Sequence, residues 1–238
     1  MINSKAFCEE LKPITVTATR TPQTVDETLA SVTVITREQI EQQQARSVTD
    51  VLTGLAGINI SNNGGAGKVS SLFLRGASSS QVLFLVDGIK VGSVTTGTTP
   101  FQNIPIELVD RIEVVRGPRS SLYGSEAIGG VIQIFTRKGG GDLKHFASIG
   151  GGKYDSYETS AGLSGGGKDG WFNLSLSKSK TEGFDSCENQ FMGGCFNIEP
   201  DDDRYKNTSG SAQAGYDFDN GASIDMHMMR SEGEVEYD

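Results

Sequence analysis

The sequence has no long apolar run, few histidines and more acidic than basic residues. Its longest unbroken apolar run, Val82 to Val86, is far shorter than the ~18–20 residues that a membrane-spanning helix needs. This excludes a helical inner-membrane protein but leaves membrane-crossing strands open. The formal net charge of −9 argues against a nucleic-acid partner, because phosphates require a basic face.

Catalytic patterns are also missing. The two histidines, His145 and His227, lie in different segments without an obvious serine or cysteine partner. The loop at Gly64 lacks the lysine and hydroxyl that follow a phosphate-binding glycine loop at P-loop spacing. We therefore expect that the protein is not an enzyme and has no catalytic cofactor.

Cysteine is scarce, with three residues. Cys187 and Cys195 lie close together in a polar stretch, a spacing suited to a local disulfide in an oxidising compartment, with two free thiols as the alternative. Cys8 receives no function. The first eight residues lack the apolar core of a secretory signal, so we expect that a signal has been removed or that the sequence is a fragment.

Glycine is abundant at 31 residues, whereas proline stands at 6, which favours a turn-rich β protein. Up to Gly139–Gly141, strand-like runs alternate with short helical patterns. Ser47-Val-Thr-Asp50 resembles a capping box and predicts a helix that ends at Gly57. Asp87-Gly88, directly after the apolar run, predicts a hairpin turn.

After Gly139–Gly141, apolar and polar residues alternate, which predicts strands with two different faces. Trp171 to Lys178 is typical, with Leu174 and Leu176 on one face and Asn173 and Ser175 on the other. A half-exposed soluble sheet shows the same alternation. However, short glycine-rich turns alternate here with one long connection, Gly183 to Asn207, the asymmetry expected of outer-membrane barrels.

The most informative segment runs from Val114 to Arg137. Two β-branched runs, Ile112–Val115 and Val131–Phe135, flank a tight stretch with four glycines, one proline and two arginines. The full string resembles the plug-domain signature of TonB-dependent outer-membrane receptors. The resemblance extends from about Ile14 to the end of the chain, and Asn62–Gly76 and Arg116–Gly130 are most similar to the cobalamin-transporter subgroup.

The resemblance implies an α+β plug domain, a small mixed β-sheet with short helices, followed by the first antiparallel strands of a transmembrane β-barrel. We expect an N-terminal segment at 1–20, a plug at 21–138 and an incomplete barrel at 139–238. It also implies active import of cobalamin across the outer membrane of a Gram-negative bacterium, with the plug on the periplasmic side and the loops outside. Alternatives are a receptor for a ferric siderophore or other metal chelate, a soluble plug-like binding module and a passive porin.

Site residues follow from the resemblance position by position. Corrinoid-contacting loop positions match Val69, Ser71, Ser78, Thr95 and Thr96, although Lys68 and Ser78 stand where cobalamin receptors often carry amides. The strip that pairs with the energy-transducing TonB protein would comprise Pro13, Ile14, Thr15, Val16, Thr17 and Ala18, offered as a strand for β-augmentation. The plainer interpretation of the loop residues is solvated turns, and that of the N-terminal strip is an edge strand.

The acidic loop predicts a structural calcium ion, because hard oxygen ligands on a loop suit calcium. By resemblance the ligands would be Asp185, Glu199, Asp201, Asp203 and, less securely, Asp238; a solvated acidic loop is the alternative. The resemblance also implies that Arg75 and Arg116 meet carboxylates of the barrel wall that lie beyond Asp238, whereas the plainer interpretation is surface arginines.

Overall fold

Two five-stranded sheets organise the chain. The computed structural model describes residues 15–16, 23–24, 31–92, 98–185 and 202–236. The strands in chain order are β1 (Thr15–Val16), β2 (Gln23–Thr24), β3 (Ser31–Ile35), β4 (Ile58–Asn62), β5 (Ser70–Leu74), β6 (Val82–Val86), β7 (Ile89–Lys90), β8 (Val109–Arg116), β9 (Gly130–Thr136), β10 (Lys144–Gly152), β11 (Ser156–Gly166), β12 (Gly170–Thr181), β13 (Tyr205–Asp217) and β14 (Ser223–Val235). The α-helices are α1 (Arg37–Gln43), α2 (Val48–Leu52) and α3 (Ser120–Tyr123), with 3₁₀ turns at Ser79–Gln81, Phe101–Asn103, Ile106–Leu108 and Ser125–Ala127.

The first sheet has the strand order β3-β8-β9-β6-β7, and β6 and β9 are its parallel pair. β6 is buried along its whole length, as its unbroken apolar run predicts. On one face, Phe84 stacks on Phe101 with ring centroids 5.0 Å apart. We call residues 31–136 the plug, since this sheet, α1, α2 and the β4–β5 hairpin enclose its main apolar core, and a smaller cluster with Leu83, Leu85 and Val131 lies on the other face of the sheet.

Local signals set the plug's turns. Ser47 caps α2 in a capping box with Asp50, as predicted. The prediction that this helix runs to Gly57 is wrong, because it ends at Leu52. Thr53 is extended, with its hydroxyl bonded to the Thr49 carbonyl at 2.8 Å, and Gly54 reverses the chain at φ +86°. The Asp87-Gly88 turn joins β6 to β7 as predicted, with both residues at positive φ.

The second sheet is a five-stranded antiparallel meander of β10 to β14, which we call the wall. Its two faces differ. Leu176 is 69% and Met226 68% exposed on one face, while Ser175 and Ser209 are 2% and 3% exposed on the other. The alternation read from the sequence is therefore present, with the polar face turned toward the plug. Across the described residues, no helix is both long and apolar enough to cross a bilayer.

The wall's connections lie at the two ends of its strands, which we call its two edges. Residues 153–155 and 182–204 connect strands at one edge, and 167–169 and 218–222 connect them at the other. The first edge therefore carries the long connection, which we call the long-loop edge. Both connections at the opposite edge are short, and the long-loop edge also carries one short turn, at 153–155.

Candidate functional site

Polar side chains line the interface between plug and wall. On the wall side the buried members are Ser160, Asn173, Ser175, Ser177, Asn207, Ser209, Ser211 and Gln213. Hydrogen bonds cross the interface: the Asn103 carbonyl of the plug accepts from the Ser231 hydroxyl at 2.8 Å and from the Asn207 amide at 3.3 Å. The plug is thus fixed to the wall by polar contacts.

A cavity of about 470 Å³ opens within this interface. Glu107 of the plug and Glu158 of the wall both line it, together with Ser177, whose hydroxyl donates to Glu107 at 3.3 Å. Burial raises the pKa of the Glu107 carboxyl, and the nearby Glu158 carboxylate raises it further. Polar side chains, aromatic rings and several glycines line the cavity, including Gly150–Gly152 at the end of β10.

A polar cluster docks the Asp87 turn onto β13 and β14. Asp87 accepts from the Thr136 backbone at 2.9 Å and from the Thr136 hydroxyl at 2.5 Å. The Gln213 amide donates to both Asp87 and Thr136. His227, opposite Gln213 on β14, places Nδ1 3.8 Å from the Asp87 carboxylate. One turn of the plug therefore contacts two strands of the wall.

At the long-loop edge, a buried ion pair joins the two units. Lys68 Nζ lies 2.5 Å from Asp203 Oδ1, and the two side chains are 4% and 2% exposed. Sequence reasoning missed this contact and the Asp87 cluster. The residues lie 135 and 126 positions apart, and no local pattern marks such pairs. The one available signal was Lys68 itself, a cation in a loop of small neutral residues.

The predicted corrinoid-contacting residues are partly brought together. Val69 and Ser71 share the exposed face of the β4–β5 hairpin, because they alternate with the buried Ser70 and Leu72. Ser78 begins the next turn, where its hydroxyl lies 3.1 Å from that of Ser80. Thr95 and Thr96 lie outside the described residues. The assignment of all five stays a prediction.

Two of the predicted TonB-contacting residues are described. Thr15 and Val16 form β1, which pairs antiparallel with β2 in the register Thr15 with Thr24 and Val16 with Gln23. The rest of the strip, Pro13, Ile14, Thr17 and Ala18, lies outside the described residues. An extended backbone at Thr15–Val16 agrees with the predicted character of this segment.

The calcium and disulfide predictions fall mostly outside the described residues, which include neither Glu199, Asp201 and Asp238 nor Cys187 and Cys195. Within residues 31–92, 98–185 and 202–236, no three acidic, histidine or cysteine side chains group closely enough to hold a metal ion. Asp185 is described and Asp203 pairs with Lys68. Both predictions stay untested.

Arg75 and Arg116 lie together against Gly57. Arg116 is 5% exposed, and it donates to the Ala56 carbonyl at 2.8 Å and to the Thr33 hydroxyl at 2.7 Å. Burial lowers the pKa of Arg116, and the neighbouring Arg75 charge lowers it further. Arg116 is therefore buried rather than a surface arginine, whereas Arg75 is exposed. Their carboxylate partners on the wall stay a prediction.

A mixed-sheet plug beside an antiparallel wall, apolar outside and polar inside, defines a plug-bearing outer-membrane receptor. The family model of the TonB-dependent receptor plug domain matches residues 24–131. The match confirms the resemblance of the chain to the TonB-dependent receptors, which are outer-membrane proteins of Gram-negative bacteria. The predicted fold class is confirmed.

Within this family, the chain is similar to vitamin B12 transporters. It is 41% identical over 234 residues to the vitamin B12 transporter BtuB of Vibrio cholerae serotype O1, and 34% identical over 224 residues to that of Photobacterium profundum. Each match covers 94% of this chain and 36% of the relative, so the chain spans about a third of their length.

A solved structure supports the fold. The pyoverdine outer membrane receptor FpvA from Pseudomonas aeruginosa, bound to pyoverdine, superposes with a TM-score of 0.76 at 20% identity. The match covers 93% of this chain and 30% of that receptor. At this identity the likeness concerns the fold alone.

Proposed function

We propose that this chain is the plug and first wall strands of a receptor that imports cobalamin across the outer membrane. The observation that carries the proposal is the 41% identity to a vitamin B12 transporter along 94% of the chain. The arrangement of the plug against a polar wall supports it, because a stopper held by polar contacts separates from its surroundings more readily than one held by an apolar core.

The import step would be driven from the periplasmic side by TonB. TonB would bind the Pro13–Ala18 strip, since a strand offers main-chain hydrogen bonds to a partner strand. An energy source is needed because ligand binding alone shifts populations only through differential affinity and cannot drive uphill transport. In this proposal the protein performs no covalent chemistry, so no catalytic residue or cofactor is assigned.

The ligand would meet the outer surface of the plug. Val69, Ser71 and Ser78 are the described candidates, with Thr95 and Thr96 completing the proposed set. Val69, directly before β5, is 48% exposed, which makes it available to a ligand. The side chains are neutral, as expected for contact with a large amide-rich ligand through polar groups and backbone.

The outer loop would contribute in two further ways, both proposed on the resemblance. Calcium would be held by Asp185, Glu199, Asp201 and Asp238, whereas Asp203 has a cationic partner in the plug. Cys187 and Cys195 would form a disulfide that stiffens the same loop. Calorimetric titration of wild type against Asp201→Ala tests the ion, and equal calcium binding by both would remove it.

The ligand is tested by titrating the receptor in full length with cyanocobalamin, ferric enterobactin and ferric pyoverdine. We expect binding of cyanocobalamin alone. Val69→Asp should weaken it by placing a charge against the ligand, while Ile89→Asp, an equally apolar and exposed residue on β7, should not. Binding of a ferric siderophore without cobalamin would overturn the assignment.

A further inference from the structure

The Lys68–Asp203 pair is the most deeply buried ion pair between plug and wall among the described residues. The ammonium comes from the segment just before β5, and the carboxylate from the segment just before β13. At 2.5 Å the contact is a charge-assisted hydrogen bond. Because the two charges are almost wholly withdrawn from water, each compensates the other.

The residues around the Lys68–Asp203 contact are closely packed. A side chain at Gly67 would collide with the ring of Tyr205, and one at Gly183 would collide with the carbonyl of Asp203. Asp203 donates its backbone N–H to Phe184 at 3.4 Å, and Phe184 packs on Tyr154 with ring centroids 5.4 Å apart. Both ends of the outer loop, at Phe184 and Asp203, therefore lie together beside the plug's glycine loop.

The position of Asp203 has a consequence for metal binding. Its carboxylate belongs to the ligand set predicted for calcium, yet Oδ1 is bonded to the Lys68 ammonium. A calcium ion needs about six to eight oxygen ligands, and an ammonium against the same oxygen opposes a divalent cation by like-charge repulsion. Asp203 thus fits an internal cation better than an external metal ion.

We propose that the Lys68 ammonium takes the place of a metal ion at Asp203 and fastens the root of the outer loop to the plug. The loop root then needs no divalent cation at this position. Since Lys68 belongs to the plug, displacement of the plug removes the cation from Asp203 and frees the loop root. In its link to transport, this inference rests on the proposed function.

The test compares Lys68→Met with wild type in the receptor in full length, purified in detergent. Methionine keeps the length of the stem and removes the charge. Backbone hydrogen exchange at 183–185 and 202–205 is followed in EGTA and then in calcium chloride. In EGTA we expect exchange to rise roughly tenfold or more in Lys68→Met, because the buried Asp203 carboxylate loses the ammonium bonded to it, which favours the open loop root.

Calcium provides the second readout. In Lys68→Met no ammonium opposes a divalent cation at Asp203 Oδ1, so calcium should slow exchange at 202–205 more in the variant than in wild type. Equal calcium responses, including no response in either, would overturn the replacement of a metal ion by Lys68. Exchange in EGTA as slow as in wild type would overturn the fastening role.

Lys206→Met is the matched control. Lys206 pairs with Glu234 at 3.4 Å on the neighbouring strands, but both side chains are exposed, at 47% and 79%. This variant should leave exchange at 202–205 unchanged, because exposed pairs contribute little. If Lys68→Met does not fold, Lys68→Met/Asp203→Leu replaces both charges. It should fold and show no calcium response at 202–205 beyond that of wild type; a larger response would contradict the proposal.

None of these readouts uses a ligand. A receptor that binds a siderophore instead of cobalamin would fail the proposed function and still pass this test. A receptor that binds cobalamin but shows no effect of Lys68→Met would fail this inference alone.

Discussion

The inside of the plug and its interface with the wall are built from different kinds of residue. Inside, Phe84, Phe101, Ile112 and Ile132 belong to one apolar core with almost no exposure. At the interface, serine, asparagine and glutamine make the contacts, and a cavity of about 470 Å³ lies between the surfaces. Apolar burial stabilises in proportion to the area removed from water, whereas a typical hydrogen bond contributes only about 0.5–1.5 kcal/mol net, since water replaces it.

This difference suits the proposed function, in which the plug stays folded while it separates from the wall. The plug's core resists unfolding, while the interface can exchange protein contacts for water. The variants below alter one side of this comparison at a time, in order of expected effect.

The largest effect is expected from Phe84→Ala in the plug core. Phe84 is 1% exposed and stacked on Phe101, so its truncation should cost about 3–5 kcal/mol. Thermal unfolding of the purified receptor should show the plug melting well below its wild-type temperature. Ser209→Ala, on the wall side of the interface, should change little. Similar shifts from the two variants would contradict the comparison.

Substitutions at two glycines should affect the inside of the plug and its interface with the wall separately. Gly130 has φ +152°, and a Cβ there would collide with the Val115 carbonyl inside the plug; Gly67 has φ +77° and would collide with the Tyr205 ring of the wall. Backbone strain of about 1–3 kcal/mol is expected at the Gly130 conformation, in addition to the clash.

Backbone hydrogen exchange distinguishes the effects of these two substitutions. Gly130→Ala should speed exchange of the β8 and β9 amides, because it breaks the sheet. Gly67→Ala should leave those amides slow while speeding exchange at 202–205, because it displaces the plug from the wall. Fast β8 and β9 exchange in both variants would mean that plug folding depends on docking.

The smallest effect is a pH-dependent one at the cavity. Burial raises the pKa of Glu107, so its ionisation opposes docking. The cost is absent below the unfolded-state pKa of about 4.3, and it is fully present above the raised folded pKa. Glu107→Gln should therefore raise the unfolding temperature at pH 7.5 and not at pH 4. The exposed Glu234→Gln serves as control, and an equal gain at both pH values would contradict the burial argument.

Sequence reasoning succeeded where a few neighbouring residues decide the structure. The Ser47 cap, the Asp87-Gly88 turn and the polar-apolar alternation around Leu174 all depend on local geometry, and all are present. The end of α2 was misjudged because the backbone turns extended at Thr53 and reverses at Gly54, with φ +86°. A capping pattern marks where a helix starts better than where it ends.

The interface could not be foreseen in the same way. Lys68 with Asp203 and Asp87 with Gln213 are each separated by more than a hundred residues, and their meeting depends on how the plug sits against the wall. The family resemblance supplied plug and wall but not the register between them. For Arg116, the sequence left burial and a surface position open, and the partners found within the plug, Ala56 and Thr33, are neutral groups.

The central claim is that the plug separates from the wall when TonB acts on its N-terminal strip. The most direct measurement is uptake of radiolabelled cyanocobalamin by cells that carry the receptor with Pro13–Ala18 deleted, with surface binding measured in parallel. We expect binding to persist, because the proposed ligand contacts Val69 and Ser71 are not part of the deleted strip, and uptake to be lost. Uptake equal to that of wild type would contradict the account.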